Sequence, residues 1–206
     1  MLRFLLITIV IANSSYAGHY LAAGYDLLTS AKLEDNFATD GTNTSSGGTS
    51  EFEFEPGFSI GYEYRNASAN SWGASFGVEY HSEKQVEEVS FSGETAQATG
   101  NDNATIQITH LYFNLIYRWD VFYIPFGLNV ASVKYTPPST FIGEFEDESS
   151  LGFNFALGWE LGDNFLIEYG ARSTTYSLEY TNGSTVVDYG EGALVTTTLS
   201  LKYKLF

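Results

Sequence analysis

Large apolar residues and small or polar ones alternate along most of this chain, with a period of two. In "FSIGYEY", Phe58, Ile60, Tyr62 and Tyr64 share one face, opposite Ser59, Gly61 and Glu63. In "WGASFGVEY", Trp72, Ala74, Phe76, Val78 and Tyr80 oppose Gly73, Ser75, Gly77 and Glu79. Alternation of this kind specifies half-buried β-strands rather than helices. "RNASANS" between the two segments reads as a polar turn, and pairing across it is expected to set Tyr64 opposite Trp72, Ser59 opposite Gly77 and Gly61 opposite Ser75.

The same pattern recurs as hairpins. "LYFNLIYRW" places Leu111, Phe113, Leu115, Tyr117 and Trp119 on one face, and "FYIPFGLNV" places Phe122, Ile124, Phe126, Leu128 and Val130 on one face. A two-residue turn at Asp120-Val121 pairs Trp119 with Phe122 and brings both apolar faces to the same side, as hairpin register requires. "LGFNFALGWEL" and "FLIEYGAR" repeat the arrangement across a three-residue turn flanked by Leu161 and Phe165. Strands near 20–28 and 194–206 bring the expected total to eight, each about ten residues, the length a tilted membrane-spanning strand needs. Short connections (65–71, 120–121, 162–164) alternate with long ones near 29–53, 82–105, 136–149 and 177–193, and a further hairpin within 29–53 or 82–105 could raise the count to ten.

The contents of the two faces decide the solvent. A soluble eight-stranded barrel keeps large apolar residues inside, and a membrane barrel inverts this. Here the polar face is mostly Gly, Ser, Ala and Asn, sizes that suit a narrow lumen. Its charges balance: Glu63, Glu79, Glu160 and Glu168 against Arg118, Arg172, Lys202 and Lys204. Such balance suits an interior, where an unpaired charge is costly. All three tryptophans lie toward the short turns; Trp72, Trp119 and Trp159 with Tyr64, Phe122 and Phe165 form the expected interfacial aromatic girdle. The predicted fold is therefore all-β: an eight-stranded antiparallel up-and-down transmembrane β-barrel over 18–206.

Composition narrows the function classes. Arg3, the apolar run from Phe4 to Ala12 and small residues at Ser15 and Ala17 read as a signal peptide over 1–17, its apolar core too short to span a bilayer as a helix. There is no cysteine, and the formal net charge of −16 argues against nucleic acid as a partner. Most of the 25 acidic residues fall in the long connections, in clusters such as Glu51, Glu53 and Glu55, Glu87 and Glu88, and Glu144, Glu146, Asp147 and Glu148. They solvate the outer face, or bind Ca²⁺ or Mg²⁺ weakly and bridge to lipopolysaccharide; no EF-hand spacing occurs. "GFSIG" and "GASFG" match G-x-S-x-G but fall mid-strand, without the strand-turn-helix setting of a nucleophile elbow. His110 is expected in the lumen with no identified Ser or acid partner, and His19, His81 and His110 lack metal-ligand spacing, so no catalytic residue, cofactor or metal is expected.

A leader, "HYLAAGYDLL" as first strand, eight amphipathic strands and a terminal aromatic resemble the small outer-membrane β-barrel family, whose members include OmpX, the OmpA transmembrane domain and the opacity-type porins. The resemblance spans the mature chain and implies outer-membrane localisation, a monomeric non-enzymatic barrel, contact with lipid and lipopolysaccharide, and an unidentified extracellular partner at the loops. It also implies an assembly signal for the barrel-assembly machinery at Tyr203, Leu205 and Phe206, with Phe206 one step out of the usual aromatic register. A narrow cation-favouring porin-like channel is the alternative function, and an outer-membrane lipid or peptide hydrolase a third.

Overall fold

A computed structural model describes residues 17–34, 37–39, 44–91, 94–97, 104–139 and 142–206. The expected leader lies outside them except for Ala17, which opens the first strand. The strands are β1 (Ala17–Glu34), β2 (Phe37–Thr39), β3 (Thr44–Ser46), β4 (Thr49–Phe54), β5 (Gly57–Asn66), β6 (Ser71–His81), β7 (Lys84–Phe91), β8 (Glu94–Gln97), β9 (Thr105–Trp119), β10 (Phe122–Thr136), β11 (Glu144–Leu161), β12 (Phe165–Asn182) and β13 (Thr185–Lys204). All pairings are antiparallel, and β13 closes on β1, with Tyr20 opposite Lys204 and Glu34 opposite Glu191. A closed ring leaves no unpaired strand edge, the condition for a sheet in hydrocarbon.

Thirteen segments make eight staves, because several staves are interrupted. In the lower half the ring runs β1-β5-β6-β9-β10-β11-β12-β13. In the upper half β4 takes the place of β5 beside β1, and β7 takes the place of β6 beside β9. Pro56, which has no N–H to donate, separates β4 from β5. Ser82-Glu83 separates β6 from β7. Hydrogen bonds from Ser82 N to Phe58 O (2.7 Å), Glu55 N to Gln85 O (2.9 Å) and Val86 N to Ala104 O (2.9 Å) bridge these breaks. The extra segments in 29–53 and 82–105 thus extend the eight staves and add none to the ring.

The turns at Asp120-Val121 and 162–164 form as the spacing predicts, with Trp119 opposite Phe122 and Leu161 opposite Phe165. Asp120 takes φ 54° and Gly162 φ 70°, the left-handed conformation such turns call for. The β5–β6 register differs from expectation. Tyr64 faces Phe76, Ser59 faces His81 and Gly61 faces Glu79. Residues 71–73 pair only with β9, and Asn66 opposite Ala74 closes the hairpin, so the connection is shifted from 65–71 to 67–73. Gly73 packs so closely on Asn66 and Ala67 that an added Cβ would meet Asn66 O at 2.1 Å.

Four connections expected as long loops are largely strand. Residues 177–193 form a tight hairpin between β12 and β13, and β11 reaches back to Glu144. These extensions build a collar above the lipid-facing belt. Four staves slip by one residue at its base, at Leu27, at Glu55-Pro56, at Ser82-Glu83 and at Ser150-Leu151, and β13 slips higher up, near Tyr189-Gly190. Each slip exchanges inward and outward parity. In β1, for example, Asp26 is buried below the slip and Thr29, Ala31 and Leu33 are buried above it.

Candidate functional site

The outer surface of the belt is apolar. Ile60, Trp72, Leu111, Trp119, Phe153 and Leu157 are more than half exposed, as only hydrocarbon solvation makes reasonable. Of the expected girdle residues, Trp72 packs on Tyr117 (ring centroids 5.0 Å), Phe122 on Trp159 (4.7 Å), Phe165 on Tyr203 (5.1 Å) and Tyr64 on Phe76 (5.2 Å). Trp119 is 70% exposed.

Inside, the lower lumen is filled by ion pairs. Glu63 is fully buried and meets Arg65 at 2.6 Å and Lys202 at 2.9 Å; Glu168 meets Lys202 at 2.9 Å and Arg65 at 3.2 Å. Tyr112 donates its hydroxyl to Glu63 at 2.9 Å. Gly77 makes room for that ring, since an added Cβ would meet the Tyr112 hydroxyl at 2.6 Å. Arg172 pairs with Glu79 at 2.6 Å, and Arg118 with Glu160 nearer the rim. Lys204 lies half-exposed at the strand end. The cation that completes the buried cluster is Arg65, which the sequence pattern left in the turn; it stacks over Tyr123 at 4.2 Å and Tyr20 at 5.7 Å. Its position two residues after Glu63 on the inward face was the available signal. Below this cluster Ala67, Ile116, Tyr123 and Leu166 form a small apolar seal.

Higher in the lumen Asn114, Asn129 and Asn154 hydrogen-bond across neighbouring staves, joined by Ser75 and Thr174. A cavity of about 10 Å³ beside Asn114, Asn154, Glu168 and Arg172 has room for about one water. At the top of the belt Asp26, fully buried, accepts from His81 Nδ1 (2.8 Å), Lys84 Nζ (2.8 Å) and Thr198 Oγ1 (2.8 Å). Lys84 also donates to Thr29 Oγ1 at 2.6 Å. Sequence reasoning missed Asp26 and Lys84. Asp26 shares a face with Ala22 and Gly24, which marked it as inward, whereas the slip at Ser82-Glu83 hid Lys84.

The collar reverses the polarity. Ala31, Leu33, Phe52, Phe54, Val86, Ile106, Ile108, Tyr176, Leu178 and Leu194 fill its interior as one apolar core. Its outer face carries Lys32, Glu34, Glu53, Glu55, Glu87, Lys134, Glu144, Glu146 and Glu148. Here burial holds the Asp147 carboxyl above its ordinary range and raises the phenols of Tyr135, Tyr176 and Tyr189. A pocket of about 400 Å³ at the collar surface is lined by Glu34, Glu146, Glu148, Glu179, Asp188 and Glu191.

The serines of both G-x-S-x-G matches are buried mid-strand, Ser59 opposite Gly24 and His81, and Ser75 beside Asn114. Neither meets the setting of a nucleophile elbow. Phe206 is 76% exposed; its carbonyl accepts from His19 N at 3.1 Å and its ring lies 4.6 Å from the His19 ring.

No family model matches the sequence, and no curated protein matches it. Solved structures do. The outer membrane protein OprG from Pseudomonas aeruginosa aligns over 92% of this chain and 97% of its own, at 15% identity and a TM-score of 0.55. The chain has the fold of the small outer-membrane β-barrels. Ail, the attachment invasion locus protein of Yersinia pestis, aligns over 92% and 99% at 12% identity, TM-score 0.43, and the outer membrane protease OmpT from Escherichia coli over 91% and 97% at 10% identity, TM-score 0.41.

Proposed function

We propose that this chain is a non-conducting, non-enzymatic outer-membrane barrel whose belt anchors a rigid acidic collar for surface contact or envelope integrity. The observation that carries this reading is the occupied lumen. The ion-pair cluster around Glu63 and the apolar core around Leu33 fill successive levels of the same tube. An eight-stranded ring is just wide enough for side chains, and here they occupy it.

The outward acids of the collar suit a cation-mediated contact with lipopolysaccharide or a basic extracellular partner. The barrel acts as a monomer, its apolar belt solvated by lipid. Tyr203, Leu205 and Phe206 serve the assembly machinery at the opposite rim. Deleting Phe206 is expected to slow insertion into membranes, and unimpaired assembly would remove that role.

Planar-bilayer recording of the purified barrel tests the main reading. No discrete conductance steps are expected. Steps of reproducible size with cation preference would replace the anchor with a narrow channel.

A further inference from the structure

The ladder between β10 and β11 stops at Val130 opposite Leu151. Both strands continue into the collar. β10 stays paired with β9 up to Thr136 opposite Thr105, and β11 is paired with β12 from Glu144 opposite Thr181. The slip at Ser150-Leu151 puts β11 out of step with β10, which does not slip. Above that point three successive inward residues of β11 reach across to β10. Ser149 Oγ donates to Ala131 O at 2.8 Å. The Asp147 carboxylate accepts the N–H of Tyr135. The Phe145 ring lies 5.2 Å from the Tyr135 ring. The first and last of these contacts set Asp147 level with Val133. Strand alternation turns the N–H and C=O of Val133 toward β11, as it does those of Ala131 and Tyr135. The two groups of Val133 have no ladder partner on that side.

Asp147 is thus an acid at the seam of an apolar core. It is half-buried and opposite Leu178. The groups that favour its charge are two backbone N–H groups, its own and that of Tyr135, rather than a cation. Burial outweighs them and holds the carboxyl above its ordinary range. The titratable groups facing it from neighbouring strands are phenols: Tyr135 of β10, Tyr176 of β12 and Tyr189 of β13, all raised by burial. The Tyr176 hydroxyl is buried without a hydrogen-bond partner. Tyr180 of β12 stacks on Phe145 at 4.8 Å. Lys134, Glu146, Glu148 and Glu179 lie on the outward side.

We propose that Asp147 is a pH-sensitive latch on the β10–β11 seam of the collar, loosened when its carboxylate is charged and tightened when the carboxyl takes up a proton. A carboxylate can only accept. A protonated carboxyl still accepts from Tyr135 N and gains an O–H to donate to the carbonyl of Val133. It also leaves no desolvated charge against the core. The carboxyl holds its proton more tightly in the folded collar than in the unfolded chain, so acid favours the closed seam. The penalty of the charge is absent below the ordinary aspartate range and complete above the raised one. Glu144, Glu146 and Glu148 ride outward on β11, so the latch sets how rigidly this acidic edge is presented to the outside.

The test is hydrogen exchange of the whole barrel refolded into vesicles, at about pH 7.5 and about pH 5, with rates corrected to protection factors. Protection of residues 131–136 and 144–150 is expected to rise several-fold in acid, while the belt and the β12–β13 hairpin change little. Asp147→Asn copies the protonated carboxyl and should show the acid level of protection at both pH values. Glu146→Gln, one residue away and outward, should keep the wild-type response. Heat-modifiable gel migration confirms that each variant has folded. Where Asp147→Asn does not fold, the wild-type profile decides. Seam protection that is unchanged or lower in acid would overturn the latch. So would an equal rise throughout the collar, or a wild-type response in folded Asp147→Asn.

Discussion

The belt and the collar are one continuous tube built by the same alternation, yet they are opposites in cross-section. The belt is apolar outside and ionic inside; Leu128 and Phe155 face lipid while Glu63, Arg65, Glu168 and Lys202 pair within. The collar is ionic outside and apolar inside; Glu53 and Glu146 face water while Leu33, Phe52 and Ile106 pack within. The difference follows from the solvent. In hydrocarbon, burying apolar side chains inside the ring gains nothing over leaving them against lipid. In water, that burial is the main source of stability, at about 25 cal/mol per Å². Belt cohesion rests on closed backbone pairing and paired lumenal charges. The collar carries a core like that of a soluble barrel.

Substitutions should separate the two regimes. The largest effect is expected from Glu63→Gln, which leaves Arg65 and Lys202 with an excess of buried positive charge. A loss of about 3–5 kcal/mol is expected, read as a lowered urea midpoint for refolded protein in vesicles. In the collar, Leu33→Ala should cost about 2–5 kcal/mol, and hydrogen exchange should place the loosening in β1, β4 and β13 above Leu27 while the belt amides stay protected. A comparable loss of protection in both regions would erase the distinction. Outward substitutions should depend on level. Leu128→Arg in the belt should cost about 2–4 kcal/mol in a bilayer, whereas Glu146→Leu in the collar should leave stability nearly unchanged. The smallest effect is expected for Lys32→Ala, since the 3.6 Å pair with Glu34 is more than half exposed; about 0–1 kcal/mol is the range for such pairs.

The belt was legible in the sequence because nothing interrupts its period. Leu111 to Trp119 and Phe122 to Val130 keep one parity throughout, and Asp120-Val121 is short enough to set their register. The collar was not legible for the opposite reason. The slips at Leu27, Pro56 and Ser82-Glu83 reverse the parity in mid-strand, so the runs above them read as polar loops. Phe52 and Phe54 between Glu51, Glu53 and Glu55 are a strand pattern, but one that looks like an acidic loop beside a lipid-facing belt. Within the lumen, balanced charges on the polar face pointed to ion pairing but not to the partners. Arg65 joined Glu63 because β5 runs on to Asn66, two residues into the run that reads as a turn. Asp26 and Thr29 of one stave meet His81 and Lys84 of another across 55 positions of sequence in each contact, and no local pattern encodes that.

The inversion at the level of Leu27 can be measured directly, because the chain has no native cysteine. Single spin labels would be placed outward in the belt at Leu128, outward in the collar at Glu146, and inward in the collar at Leu33, each in protein refolded into vesicles. Accessibility to oxygen and to a water-soluble nickel chelate would then be compared. The account predicts high oxygen and low nickel accessibility at 128, the reverse at 146, and low accessibility to both at 33. Free access of the nickel chelate to the label at 33, or lipid-like accessibility at 146, would contradict it.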